Sequence, residues 1–175
     1  MIVLMAGLPG TGKTTLCGEL ARKLDGAVIN KDALRHALFP PAAIEYSTQQ
    51  DDFCQSLMLQ AAAFLLRRNS HRWIFLDGRT FSRKYQIAQV LAFAAEIQQP
   101  WRILECTCSD GTAKRRLEAA EPGKHPAGNR DSALYQAVKA RFEPIMQPKT
   151  LIDSDQPLEV CVAQALAAIG ADSAL

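Results

Sequence analysis

The chain has 175 residues, enough for one domain with a real hydrophobic core. Lysine and arginine number 20 against 18 aspartate and glutamate, and the net charge of +2 gives no electrostatic footprint for duplex DNA or an anionic membrane. No apolar run approaches the roughly 20 residues of a membrane span, and with the first motif beginning at Gly7 no leader is expected ahead of it. Cys17, Cys54, Cys106, Cys108 and Cys161 are odd in number and fall mostly in apolar segments. Buried free thiols in a reducing cytoplasm are the expectation. Cys106-Thr107-Cys108 has no second pair and no neighbouring histidine pair, so no zinc site is expected.

Ile2–Ala6 reads as a short buried strand that runs into Gly7-Leu8-Pro9-Gly10-Thr11-Gly12-Lys13-Thr14. This is the Walker A pattern, G-x-x-x-x-G-K-[ST], in the strand-to-helix context it requires. The glycines let successive N–H groups converge on an anion, and the following helix adds its positive dipole end. Lys13 supplies a charge for the outer phosphates. Thr14 supplies a hydroxyl for a phosphate-bound Mg²⁺, with Thr15 beside it. Gly7, Leu8, Pro9, Gly10, Thr11, Gly12, Lys13, Thr14 and Thr15 are therefore the candidate nucleotide-binding residues, with Thr14 the candidate metal ligand.

The helix after the loop is predicted over Lys13–Leu24, where Leu16, Leu20 and Leu24 recur every fourth residue. A strand over Ala27–Asn30 and a helix over Asp32–Leu38 follow, then Pro40-Pro41. Ser47 with Gln50 forms a capping-box start for a long helix over Thr48–Arg68. Beyond it come a strand over Arg72–Asp77, a helix over Arg83–Gln98, a strand over Arg102–Thr107 and helices over Gly111–Ala119 and Ser132–Phe142. A strand over Thr150–Asp153 and a helix over Leu158–Ile169 close the pattern. Short apolar strands alternating with amphipathic helices predict an α/β fold with a parallel five-stranded sheet covered on both faces. Neither a repeat nor a second domain is visible, so residues 1–175 are expected to form one unit. The Pro-, Gly- and charge-rich run from Glu121 to Arg130 is expected to act as a lid, about residues 114–131.

In an open parallel sheet the site lies at the carboxyl ends of the strands. Three polar groups fall there. Asp32 and Arg35 share a helix face after the second strand. The carboxylate suits acceptance of a proton from an attacking hydroxyl, and the arginine suits a phosphate. The plainer reading has Asp32 favouring the helix N-terminus and pairing with Arg35. Asp77-Gly78-Arg79-Thr80 ends the strand Trp73-Ile74-Phe75-Leu76 in the manner of a Walker B aspartate. Asp77 could serve the Mg²⁺ shell or the acceptor, or cap a turn. The third group is the basic set Lys114, Arg115, Arg116, Lys124, His125, Arg130 and Arg141. Most of these are expected to be solvated. Arg116 and Arg130 are the candidates for reaching the phosphates on closure.

Taken together, the phosphate loop, Asn30-Lys31-Asp32-x-x-Arg35, Leu76-Asp77-Gly78-Arg79-Thr80 and the late Arg-rich segment resemble the small P-loop kinases grouped with polynucleotide kinase. Members of that group are often labelled AAA-type ATP-binding proteins. The resemblance covers nearly the whole chain. It implies a three-layer, nucleoside-kinase-like P-loop NTPase sandwich with a short lid. It also implies that Asp32 is the general base, that Arg35 contacts phosphate and that Lys13 supports the transferred group. The chain departs from the pattern where Arg116-Leu117 is followed by Glu-Ala-Ala-Glu rather than a second arginine. It looks like an uncharacterised branch without the phosphatase half of some polynucleotide kinases. The function implied is ATP- and Mg²⁺-dependent transfer of the γ-phosphoryl group to a hydroxyl of a small molecule or a nucleic-acid end. The alternatives are a P-loop ATPase or nucleotide switch acting on a protein partner, and a kinase toxin.

Overall fold

The computed structural model describes residues 1–119 and 132–171. Its five strands are β1 (Ile2–Ala6), β2 (Ala27–Asn30), β3 (Ile74–Asp77), β4 (Trp101–Thr107) and β5 (Thr150–Asp153). They form one sheet in the order β2-β3-β1-β4-β5, and every neighbouring pair is parallel. The helices are α1 (Lys13–Lys23), α2 (Lys31–Leu38), α3 (Thr48–Arg68), α4 (Lys84–Glu96), α5 (Asp110–Glu118), α6 (Ser132–Ala140) and α7 (Leu158–Ile169). This is the expected α/β sandwich around a five-stranded parallel sheet.

All five residues of β1 are fully buried because the central strand is covered on both sides. Side chains alternate across a strand, so Val3 and Met5 join α1 and α7 through Leu16, Leu20, Val162 and Leu166. Ile2, Leu4 and Ala6 join α3 and α4 through Met58, Ala62, Ile87 and Val90. A third, smaller cluster of Ala113, Leu117 and Tyr135 packs α5 against α6. No helix among the described residues is long and apolar enough to cross a membrane.

Element ends shift by one or two residues from expectation, each for a local reason. α2 begins at Lys31 because the Asn30 side chain caps it. α4 stops at Glu96, two residues before Gln98, whose φ of 52° lies in the left-handed region. α6 stops at Ala140, and Arg141 and Phe142 donate to Val138 and Lys139 in tight i to i−3 bonds. β3 begins at Ile74 because Arg72 turns back to donate to Asn69. Ser47 caps α3 by accepting from the Gln50 N–H at 3.2 Å. The Gln50 side chain reaches two residues further back than a capping box requires, accepting from Glu45 N at 2.8 Å.

Candidate active site

The phosphate loop is held open by glycine. Gly7, Gly10 and Gly12 have φ of 128°, 79° and 79°, a region that side chains rarely enter. Gly7 also passes so near β4 that an added Cβ would lie 2.2 Å from the Cys106 carbonyl oxygen. The loop is fastened to the end of β3 by Gly7 N donating to Thr80 O at 3.1 Å. Lys13 is buried and donates to Leu8 O at 2.6 Å across the loop. The N-cap of α1 is Gly12, with no side chain taking the first N–H groups. Those donors and the dipole end of an 11-residue helix face the loop, which is the chemistry of an anion site.

The register sets Asn30 directly beside Asp77 at the carboxyl ends of β2 and β3. Asn30 does two jobs there. Its side-chain oxygen accepts from Asp32 N at 3.0 Å and Ala33 N at 2.9 Å. Its amide donates to Asp77 Oδ2 at 2.8 Å. Asp77 is fully buried, yet its Oδ1 has no hydrogen-bond partner among the described residues. Gly78 permits this packing, since a Cβ there would lie 2.9 Å from Lys31 N. The close approach at Gly78 is thus to the start of α2.

Asn30→Ala should remove an N-cap and the half-buried hydrogen bond to Asp77 together. A stability loss of about 1–3 kcal/mol is expected, read by chemical denaturation. An unchanged midpoint would contradict this double role.

Next to Asn30, four charges close into a ring. Asp32 Oδ1 accepts from Arg35 at 2.7 Å and lies 3.2 Å from Lys31 Nζ. Lys31 donates to Asp51 Oδ1 at 2.7 Å, and the second guanidinium nitrogen of Arg35 bonds the same oxygen. Burial pushes the Lys31 ammonium down to about 8, with Arg35 and Arg79 also lowering it and Asp32 opposing them. Arg79 extends the ring, reaching Asp51 O at 3.1 Å and pairing with Asp52.

Two cavities meet at Lys13 and Thr14. One, of about 120 Å³, runs along the charged ring past Lys31, Asp32, Asp51 and Asp77. Tyr46 and Arg141 also line it. The other, of about 500 Å³, lies beyond Gly10 and Gly12, with Thr15, Arg116 and Leu158 on its wall. The phosphate loop is the partition between them.

The sequence candidates divide between these spaces. Lys13 and Thr14 line both cavities, Asp32 and Asp77 the smaller, and Arg116 the larger. Arg116 is held by Ser154 Oγ at 2.9 Å, Ser154 O at 2.7 Å and Gly10 O at 3.4 Å. Arg35 is fully buried behind the ring and lines neither cavity. Its partners are Asp32, Asp51 and the face of Tyr46, whose centroid lies 5.1 Å away. Arg130, Lys124, His125 and most of the expected lid lie outside the described residues. Lys31, Asp51 and Arg79 also line the smaller cavity, and Asn30 braces it from behind; none of the four was given a role from sequence. Asp51 reads in sequence as a first-turn carboxylate of a helix, which favours that position on dipole grounds alone, and Asp52 follows it. Lys31 carried no signal beyond its place beside Asp32.

Burial pushes the Cys106 thiol up to about 12, so it serves as core beneath the loop. No group of three or more His, Cys, Asp or Glu able to hold a metal occurs among the described residues.

A search of curated proteins returned no match. Solved structures share the fold at low identity. A sugar kinase from Janibacter sp. HTCC2649 superposes with a TM-score of 0.72 at 16% identity, over 99% of this chain and 96% of that one. A gluconokinase from Sinorhizobium meliloti 1021 gives 0.71 at 18%, covering 97% and 90%. The Mycobacterium tuberculosis APS kinase, in complex with AMPPNP and APS, gives 0.73 at 18%, covering 97% and 96%. A family model described as an AAA domain matches residues 2–145, most of the chain. With its strand, phosphate loop and helix in place, the chain belongs to this AAA domain family of P-loop proteins.

Proposed function

We propose that this chain is an ATP-dependent phosphotransferase that moves the γ-phosphoryl group of ATP onto a hydroxyl of a small molecule. One observation carries the reading: two cavities meet at Lys13 and Thr14, and the smaller is walled by Asp32 and Asp77. A nucleotide switch needs a space for the nucleotide. A kinase needs a second space across the phosphate loop, with a proton acceptor in it. Kinases of the same fold, one of them in complex with AMPPNP and APS, add support. The small cavity suits a small acceptor better than a nucleic-acid end.

The nucleotide base and sugar take the larger cavity, and the phosphates thread the loop. Backbone N–H groups, the α1 dipole and Lys13 hold them. The residues present also fit Mg²⁺. Buried Asp77 Oδ1 has no hydrogen-bond partner among the described residues, and the exposed Thr14 lines the same cavity, so two hard oxygen donors are available. When bound, Mg²⁺ neutralises charge on the outer phosphates. Asp32 receives the acceptor's hydroxyl proton as that oxygen forms its bond to the γ-phosphorus and the bond to ADP breaks. Arg35 and Lys31 hold Asp32 in position. Arg116 reaches the loop from α5, and Arg130 belongs to the same lid proposal.

The test is incubation with ATP labelled at the γ-phosphorus, Mg²⁺ and pooled metabolites. Label is expected in an organic phosphomonoester. Label only in inorganic phosphate, at a rate raised by a protein partner, would favour a nucleotide switch instead.

A further inference from the structure

The smaller cavity has an uneven supply of hydrogen-bonding atoms. Its carboxylates each spend one oxygen on the wall. Asp32 uses Oδ1 for Arg35 and Lys31, Asp51 uses Oδ1 for Lys31 and Arg35, and Asp77 uses Oδ2 for Asn30. The second oxygen of each makes no hydrogen bond among the described residues. Asp32 and Asp77 are 5% and 0% exposed, and all three residues line the same cavity. Two of the cations on this wall, Lys31 and Arg79, are already matched by carboxylates. The buried wall therefore offers unused acceptors, and what fits them is a set of donors without negative charge.

We propose that the phosphoryl acceptor is a neutral polyhydroxylated molecule, a sugar or polyol, held through neighbouring hydroxyls by Asp32 and Asp51. The inference rests on the phosphotransferase reading above. With Asp77 Oδ1 assigned to Mg²⁺, Asp32 Oδ2 takes the proton of the reacting hydroxyl. Asp51 Oδ2 takes a hydrogen bond from a second hydroxyl and so sets which hydroxyl reacts. The acceptor oxygen gains the phosphoryl group, ADP leaves, and the proton goes to Asp32, so charge and atoms balance. A carboxylate or phosphate on the acceptor would face these same oxygens and be repelled. Arg141 also lines the cavity, but it is exposed and stands outside the ring. An anionic acceptor would have to rely on it or on Lys13, which lines the same cavity and which the phosphotransferase reading commits to the nucleotide's phosphates.

Two pools separate the cases. One contains pentoses, hexoses and alditols; the other contains aldonic acids and sugar phosphates. The wild-type chain is given each with γ-labelled ATP and Mg²⁺. Labelled product is expected from the first pool. Asp51→Asn should then raise KM for the identified acceptor at least tenfold, with KM for ATP within about twofold of wild type. Product confined to the anionic pool overturns the inference while leaving the phosphotransferase reading intact. An unchanged acceptor KM in Asp51→Asn overturns the role of Asp51. No phosphorylated product from either pool, or from any wider metabolite pool, removes the phosphotransferase reading and this inference with it.

Discussion

Asp32→Asn is expected to lower phosphoryl transfer by roughly a hundred- to ten-thousandfold, the range for removal of a general base, while nucleotide affinity changes little. The reason lies in the two oxygens of this carboxylate. Oδ1 faces Arg35 and Lys31, and an asparagine oxygen can keep those contacts. The amide nitrogen then replaces Oδ2 at the cavity, and it cannot take a proton from a hydroxyl. The nucleotide is held mainly by the loop, by Lys13 and by the larger cavity, which Asp32 does not line, so its affinity has no reason to fall. Stability should drop, because fully buried Arg35 keeps only Asp51 as an ionised partner. Transfer and nucleotide titration are therefore compared well below the variant's melting temperature. Turnover at the wild-type rate would show that Asp32 is not the base.

The second large effect concerns the loop itself. Gly7→Ala places a Cβ 2.2 Å from Cys106 O and 3.1 Å from Thr11 Oγ1, at a φ of +128°. Backbone strain of this kind is worth about 1–3 kcal/mol before any clash. Because β4 holds the Cys106 carbonyl in the sheet, the loop has to move instead. Both melting temperature and nucleotide affinity should fall, the first by roughly 2–4 °C for each kcal/mol in a chain of this size, the second at least tenfold. Gly18→Ala is the matched control. Its Cβ meets nothing within 4 Å on the exposed face of α1, so it should stabilise the helix by about 0.5–1 kcal/mol. A Gly7→Ala protein that melts and binds nucleotide like wild type would contradict the loop geometry.

Much of this architecture was legible because it depends on local patterning. Ile2–Ala6, Ala27–Asn30 and Thr150–Asp153 are short apolar or mixed runs between helical periodicities, and they form strands over those same residues. The phosphate loop was legible because glycine spacing dictates backbone shape. The charged ring was not. Asp51 lies 19 positions after Asp32 on another helix, and only the packing of α2 against α3 brings them onto shared cations. Nothing in the spacing of Arg79 and Asp52 reveals their ion pair either. Arg35 shows the limit most clearly. At i+3 from Asp32 it was expected on the same face, as it is, but the depth of that face was invisible.

The central claim is that Lys13 and Thr14 divide a donor space from an acceptor space. A crystal structure with a non-hydrolysable ATP analogue and Mg²⁺ tests it most directly. The base and ribose are predicted in the cavity lined by Arg116 and Leu158, with the γ-phosphate at Lys13 and Thr14 and the space beside Asp32 left for a second molecule. A nucleotide whose base or ribose fills the cavity between Asp32, Asp51 and Asp77 would contradict it.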